Sequence, residues 1–272
     1  MHVRVILLVV VMAAVWPALG SRWPDRLSAQ APLGAGDIVA KVQQAFYYPG
    51  TDLKARVKMT LTSAGGETRL RDLTMLRRNG NSGEQQYFIY FHQPGDVRGM
   101  TFLVLKYPRR DDDRWLFMPA LNLVRRMAAR DSAQSFVGSD FTYEHVSGRD
   151  PESDRHTLRG EEKRRGKDCY IVESQAQAAA EYSRKVAWID KATWLPVEEE
   201  YYDIRGELFK VFTADEIRDV NGRATVTTRT MKNVKTGHRT EVVFSEVAYD
   251  VGVEAEIFSE RYLREPPRRW IQ

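Results

Sequence analysis

Cysteine is nearly absent from this chain, with Cys169 alone among 272 residues. A single thiol excludes an internal disulfide and a cysteine-based metal cluster, and no cysteine follows the N-terminal apolar run to carry a lipid. The chain must therefore be stabilised by its core, and about 240 residues after an N-terminal leader are enough for one large β domain. The Tyr-Ile-Val run that follows Cys169 predicts a buried thiol on a strand.

The chain also lacks a large excess of charge of either sign. The formal net charge is +4, and it falls to +2 without residues 1–31, which contain three arginines and one aspartate. A chain of such small net charge does not have the basic character of a nucleic-acid-binding protein, so we expect no nucleic-acid partner.

The sequence contains few patterns that support catalysis. Its five histidines include none spaced to place two metal ligands together, so no metal site is expected. Glycine-rich phosphate loops are absent. Ser139, Asp140 and His145 supply the residue types of a catalytic triad, but the strand-turn-helix elbow that exposes a nucleophile is missing. We therefore expect neither an enzyme nor a cofactor, and an envelope lipid hydrolase is the least favoured alternative.

Residues 1–31 have the pattern of a secretory signal, with Arg4 before an apolar run at 5–16 and small residues after it. Cleavage is expected after Ala31, or alternatively after Gly20. An uncleaved membrane anchor is the other interpretation, but the apolar run is shorter than the ~20 residues that a span needs. We expect a soluble, exported, monomeric protein whose single domain covers residues 32–272.

One helix and then many strands are predicted for that domain. Apolar residues recur at helical spacing from 36 to 46, with Asp37 as the N-cap. Alternating segments separated by turn residues then predict thirteen strands, at 53–62, 68–78, 85–92, 100–107, 114–118, 121–127, 155–160, 168–175, 182–190, 195–203, 208–214, 224–233 and 239–249. A second helical stretch covers 254–263. Short turns between successive strands predict an antiparallel sheet.

Several of these strands are apolar on both faces, as in Tyr-Phe-Ile-Tyr-Phe at 87–91. A sheet curled over a ligand cavity, with helices covering the hollow, would produce this pattern. A sheet packed on helices without a cavity is the alternative.

The alternation ends after Ala129, and aromatic residues then surround a Gly-Ser-Asp turn. We predict that this loop covers or grips a ligand, with Gly138, Ser139 and Asp140 as its gating or structural residues. The large apolar side chains of the region are predicted to line the hollow: Phe102, Trp115, Phe117, Phe136 and Phe141.

Two neighbouring arginines, Arg125 and Arg126, lie on the last strand before this loop. They are candidates for contact with a partner, although solvated strand edges are the more ordinary interpretation. One of them is expected to pair with Asp140 or Asp131, since an inward-facing arginine needs a carboxylate.

The same region resembles the LolA-like outer-membrane lipoprotein-sorting proteins, in the branch associated with RND/MMPL-type exporters. The likeness is carried by PGDVRG at 94–99 with TFL at 101–103, DRWLFMPAL at 113–121 with VRR at 124–126, and SFVGSDF at 135–141 with YE at 143–144. Outside residues 94–146 it depends on pattern more than on motif.

This resemblance implies a mainly β fold, a single antiparallel incomplete β-barrel with a few helices closing its concave side. It also implies a periplasmic carrier that binds lipid or lipoprotein acyl chains in an apolar concavity and moves them between membranes or to and from an exporter. A non-carrier interaction subunit of an RND/MMPL-type export system is the alternative. Neither the cargo nor the direction of transfer follows from the resemblance.

Overall fold

Thirteen strands form one antiparallel sheet, as predicted. The computed structural model describes residues 33–272, so the predicted signal lies outside the described residues. The strands are β1 Asp52–Thr62, β2 Thr68–Asn79, β3 Gln85–Gln93, β4 Thr101–Lys106, β5 Asp113–Met118, β6 Leu123–Met127, β7 Asp154–Arg164, β8 Lys167–Ala176, β9 Arg184–Asp190, β10 Pro196–Tyr202, β11 Leu208–Val220, β12 Arg223–Asn233 and β13 Arg239–Tyr249.

The order of the strands decides where the connections run. The sheet reads β6-β5-β4-β3-β2-β1-β13-β12-β11-β10-β9-β8-β7. Strands β6 and β7 are its two edges and do not pair with each other, so the barrel is incomplete, as predicted. Because β6 and β7 are consecutive in the chain, residues 128–153 must cross from one edge to the other. We call these residues the cover segment.

The first helix differs from the prediction in its cap. Helix α1 covers Ala35–Val42 and continues as a π-helical turn, Gln43–Tyr47. Its N-cap is Gly34, and the Asp37 carboxylate three residues later accepts a hydrogen bond from the Gly34 N–H at 3.0 Å. Asp37 therefore holds the helix start from the first turn, and Ile38 packs in a cluster with side chains of β8 and β9.

Three short helices follow, α2 Tyr143–Ser147, α3 Glu260–Arg264 and α4 Arg268–Ile271. Thr142 caps α2, and its hydroxyl accepts a hydrogen bond from the His145 N–H at 3.3 Å. Helices α3 and α4 belong to residues 250–272, which follow the last strand and which we call the C-terminal segment. Within residues 33–272, no helix is both long enough and apolar enough to cross a membrane.

The sheet buries apolar side chains on both faces, but against different partners. The larger cluster combines Phe102 of β4 with Tyr201 of β10, seven strands away in the sheet, so the sheet curls around it. We call this face concave. On the opposite, convex face Phe88 packs in a second cluster with Leu263 and Trp270 of the C-terminal segment. The apolar pattern at 87–91 therefore reflects two packed layers, a hollow on one side and helices on the other.

Candidate functional site

The cover segment is folded into a compact turn where it passes over the hollow. Ser135 and Thr142 form an isolated antiparallel bridge, and the Phe136 carbonyl accepts a hydrogen bond from the Ser139 N–H at 3.0 Å. The two central residues have positive φ, 51° at Val137 and 81° at Gly138. Glycine adopts this conformation readily, whereas a β-branched residue is strained there. The turn therefore has one defined backbone conformation, which contacts with the surrounding residues stabilise.

Asp140 fixes this turn to the sheet. Its carboxylate accepts hydrogen bonds from His238 Nδ1 at 2.6 Å and Thr240 Oγ1 at 2.8 Å, at the start of β13. The Asp140 N–H donates to Thr240 Oγ1, and its carbonyl accepts from Lys210 Nζ at 2.7 Å. An arginine is predicted to pair with Asp140 or Asp131. The pairing with Asp140 does not form, because a histidine and a threonine at the start of β13 lie beneath the turn and engage its carboxylate.

A buried lysine holds the other end of the cover segment. Lys106, at the end of β4, is only 7% exposed. Its ammonium group donates to the carbonyls of Ser147 at 2.9 Å and Gly148 at 2.6 Å. These carbonyls end helix α2, where a positive charge is favourable. Burial lowers the pKa of Lys106 from its ordinary value.

His145 is a residue of α2, and its imidazole points into the hollow. Its Nδ1 accepts a hydrogen bond from the Thr142 N–H at 3.0 Å, and Nε2 lies 3.4 Å from a carboxylate oxygen of Glu181. Burial holds the pKa of His145 well below its usual value, and the charges of Lys210, Lys185 and Arg229 lower it further. The ring is therefore neutral at physiological pH, in a region where burial also raises the pKa of Glu181.

Three of the five predicted ligand-binding rings, Phe102, Phe136 and Phe141, belong to the apolar cluster of the concave face. The centroids of Phe102 and Phe136 lie 5.7 Å apart, and Tyr143 packs on both, at 5.1 and 5.3 Å. Phe136 and Phe141 border a small cavity. Tyr143 was not among the predicted set, although it belongs to the same sequence motif. Contact of these rings with a ligand stays a prediction.

Trp115 and Phe117 do not border the hollow, so their predicted placement is wrong. In the register of β4 and β5, Trp115 lies opposite Leu103, while Phe102 lies opposite Leu116. Opposed residues on neighbouring strands point to the same face. Trp115 and Phe117 therefore lie on the convex face, where they pack with the C-terminal segment.

The two arginines of β6 are both engaged with carboxylates. Arg125 Nη2 lies 3.1 Å from Asp131, which confirms one of the two predicted pairings, and Arg126 contacts Asp113. Both arginine side chains are more than half exposed. Their contact with a partner stays a prediction.

Small cavities remain between the cover segment, helix α1 and the sheet, with volumes of about 70, 80 and 20 Å³. Phe46 and Tyr47 of the π-helical turn border both the first and the second. Val146 borders the first and third, and His145 borders the second and third. The side chains of the covering helices thus divide the hollow into compartments.

One arginine in the hollow has no counterpart among the predicted residues. Arg229 of β12 borders the first and third cavities. The sequence contains little to reveal it, because register shifts between β11 and β12 occur beside it. Such irregularities change which face a residue occupies. Lys106 was missed because a lysine near a strand end ordinarily reaches solvent.

The residue types of a catalytic triad do not meet. Ser139 Oγ donates to the Phe141 carbonyl, the Asp140 carboxylate pairs with His238, and His145 bonds to Thr142. Among the described residues, no group of three or more metal-ligating side chains is present. What the site offers is apolar surface, paired charges and the partly buried Arg229.

Comparison with known proteins agrees with this geometry. A family model described as an uncharacterized protein matches residues 83–265. A DUF1329 family protein from Desulfovibrio piger is 30% identical over 84% of this chain and 97% of its own, with a TM-score of 0.78. A putative outer membrane lipoprotein-sorting protein domain from Vibrio parahaemolyticus is 28% identical over 85% and 98%, with a TM-score of 0.79. This chain belongs to the DUF1329 family.

A more distant LolA superfamily protein, from Nitrosomonas europaea, shares the fold of this chain. It is 17% identical over 85% of this chain and 100% of its own, with a TM-score of 0.67. No curated protein sequence matches the chain. The predicted LolA-like family and the predicted mainly β, incomplete-barrel fold are both confirmed.

Proposed function

We propose that this protein is a periplasmic carrier, which binds lipid or lipoprotein acyl chains in the hollow beneath the cover segment and moves them between membranes. The observation that carries the proposal is the path of residues 128–153 from one sheet edge to the other, above a curled sheet with an apolar cluster. The Vibrio parahaemolyticus relative is itself described as a putative lipoprotein-sorting protein. The predicted secretory signal supports the periplasmic location.

Burial alone supplies enough free energy for this role. Each methylene removed from water contributes about 0.8 kcal/mol, so a chain of ordinary length gains on the order of ten kcal/mol before losses. Such binding requires no acid, base or nucleophile. We propose accordingly that the protein is not an enzyme.

Binding requires the cover to move. The apolar cavities of about 70, 80 and 20 Å³ are far smaller than the roughly 300–1,000 Å³ of ordinary ligand sites. A larger open cleft of about 1110 Å³ also borders the cover segment, but most of the residues that line it are charged or polar. Because the dividing side chains belong to α2 and to the turn after α1, displacement of those elements would join the compartments. We propose that Gly138, Ser139 and Asp140 belong to the part that moves.

A disulfide between the cover segment and β13 tests this gating. Asp140 and Thr240 are in direct side-chain contact, so Asp140→Cys and Thr240→Cys are introduced together with Cys169→Ala. We expect the oxidised protein to exchange a fluorescent fatty acid much more slowly than the reduced protein. The control pair, Lys163→Cys with Asp168→Cys, joins opposed residues of the β7–β8 hairpin and should exchange equally in both states.

Equal exchange by the locked and unlocked proteins would show that cargo does not pass beneath this turn. Native mass spectrometry of the purified mature protein tests the carrier function itself. Co-purifying lipid is the expected result, and a protein that retains none and takes up none fails the proposal.

A second candidate is an interaction subunit of an RND/MMPL-type export system that carries nothing. The observation that favours it is the exposed edge at β6, where Leu121 is 68% and Leu123 is 46% exposed. The same edge presents Arg125 and Arg126. A stable protein partner without lipid, lost in the double substitution Arg125→Glu and Arg126→Glu, would support this candidate over the carrier.

A further inference from the structure

Arg229 occupies an unusual position in the middle of the concave face. It lies on β12 between Ala214 of β11 and Val242 of β13 in the sheet register. Its guanidinium carbon is 4.8 Å from the ring centroid of Phe244, 5.3 Å from Phe141 and 5.6 Å from Phe46. Phe244 comes from β13, Phe141 from the cover segment and Phe46 from the turn after α1. Three elements thus converge on one cation.

The guanidinium makes no hydrogen bond or ion pair with any residue in the range 33–272. Its Nε is buried and unpartnered. The carboxylate of Glu199 contributes to the electrostatic environment of Arg229, but Lys185 at 3.0 Å and the Tyr201 hydroxyl at 2.5 Å already engage it. The remaining accessible part of Arg229 faces the two cavities that the side chain borders.

Such a group is costly to keep in a folded protein. A charged group that is partly buried without a partner is destabilising, because it loses hydration and gains no hydrogen bonds in exchange. Aromatic faces compensate for part of that loss, but rings accept none of the five N–H donors of an arginine. The buried Arg77 of the same face shows the contrast, since it donates to the carbonyls of Tyr47 and Pro49.

We propose that Arg229 is the binding site for an anionic head group, carboxylate or phosphate, of an acyl-chain ligand that enters with its head inward. This inference rests on the proposed carrier function and narrows the cargo to acidic amphiphiles. The apolar surface around Phe141 and Phe244 receives the chain, while the guanidinium supplies charge-assisted hydrogen bonds to the head group. An acyl chain held through an ester or amide offers Arg229 only neutral carbonyl oxygens, whose hydrogen bonds are weaker than those of a carboxylate or phosphate.

The test compares matched ligands on the purified, delipidated mature protein by displacement of a fluorescent fatty acid. Palmitate is compared with methyl palmitate, and dipalmitoyl phosphatidic acid is compared with dipalmitoylglycerol. The first pair tests a carboxylate head group from a fatty acid, and the second tests a phosphate head group from a phospholipid. We expect at least one acid to bind at least tenfold more tightly than its neutral counterpart. Arg229→Met should abolish that preference while leaving the neutral ligand within about twofold.

Two further measurements make the result decisive. Lys232→Met removes an exposed cation from the same strand and should leave the preference intact. Arg229→Met should melt no lower than the original protein, because it removes a charge without a partner. A retained preference in Arg229→Met, or equal binding of acid and neutral ligand by the original protein, would overturn the anchor alone. Failure to bind any of the four ligands would overturn the carrier function as well.

Discussion

Asp140→Asn should loosen the cover segment by an amount that the structure allows us to estimate. The carboxylate accepts two hydrogen bonds, from His238 and Thr240, at a residue that is only 7% exposed. Hydrogen bonds to charged groups contribute roughly 1.5–3 kcal/mol, against about 0.5–1.5 for neutral ones. An amide keeps the acceptor oxygen and loses the charge, so two bonds together should lose about 2 kcal/mol.

Two assays measure that loss. For about 240 folded residues, 2 kcal/mol corresponds to a fall in Tm of about 4–8 °C if the cover segment opens only with the whole domain. If it opens separately, amide hydrogen exchange in residues 134–147 should accelerate by about 30-fold while the Tm changes less. The control is Asp131→Asn, which breaks a pair with the exposed Arg125 and should lose less than about 1 kcal/mol.

A variant with unchanged Tm and unchanged exchange over residues 134–147 would refute this reasoning. It would mean that the contacts of Asp140 with β13 do not restrain the turn. If Asp131→Asn lowered the Tm as much as Asp140→Asn does, the loss would instead be a general effect of removing a charge.

Three other predictions concern single side chains. The pKa of His145 is held well below 6.5 in the folded protein. As the pH falls, the unfolded chain therefore protonates this histidine before the folded protein does. The free energy of unfolding should decrease below about pH 6.5, by up to about 1.4 kcal/mol per pH unit. His145→Gln should reduce the difference between urea midpoints at about pH 7.5 and about pH 5.5; an undiminished difference argues against a neutral buried ring. Phe88→Ala should lower the free energy of unfolding in urea by about 3–5 kcal/mol, whereas Ile204→Ala, at a residue 92% exposed, should change it by less than about 0.5 kcal/mol. Cys169 is fully buried with its pKa raised by burial, so a thiol reagent should label it only as fast as the protein unfolds, and rapid labelling of the folded protein would contradict that placement.

The strands were the part of the fold most accessible from the sequence. Alternation and turn residues predicted thirteen strands, and β13 was placed at its observed bounds, Arg239–Tyr249. Two strands extend several residues beyond the prediction, because β7 reaches Arg164 and β11 reaches Val220 through largely polar residues. In these residues the backbone continues to pair with the neighbouring strand, but the side chains have no alternating apolar pattern from which a strand could be predicted.

The faces and the order of the strands were harder to predict. Side chains repeat every two residues along a strand, so one irregularity reverses every later assignment. This applies to Arg229, beside the register shifts of β11 and β12. Trp115 and Phe117 were misplaced for a related reason, since only the register with β4 separates them from Phe102. Partners such as His238 for Asp140 lie 98 residues apart, beyond any local pattern.

The two free edges of the sheet also determine how molecules of this protein behave beside one another. An unpaired strand ordinarily recruits another strand, and repeated recruitment produces fibres. Here β6 has only five residues, two of them arginines, and β7 exposes a run of mixed charge at 159–163. Pairing β6 of one copy with β6 of another would set the arginines of both strands against each other. Two identical β6 edges should therefore not pair, and a strand that extends the sheet at β6 must carry acidic side chains.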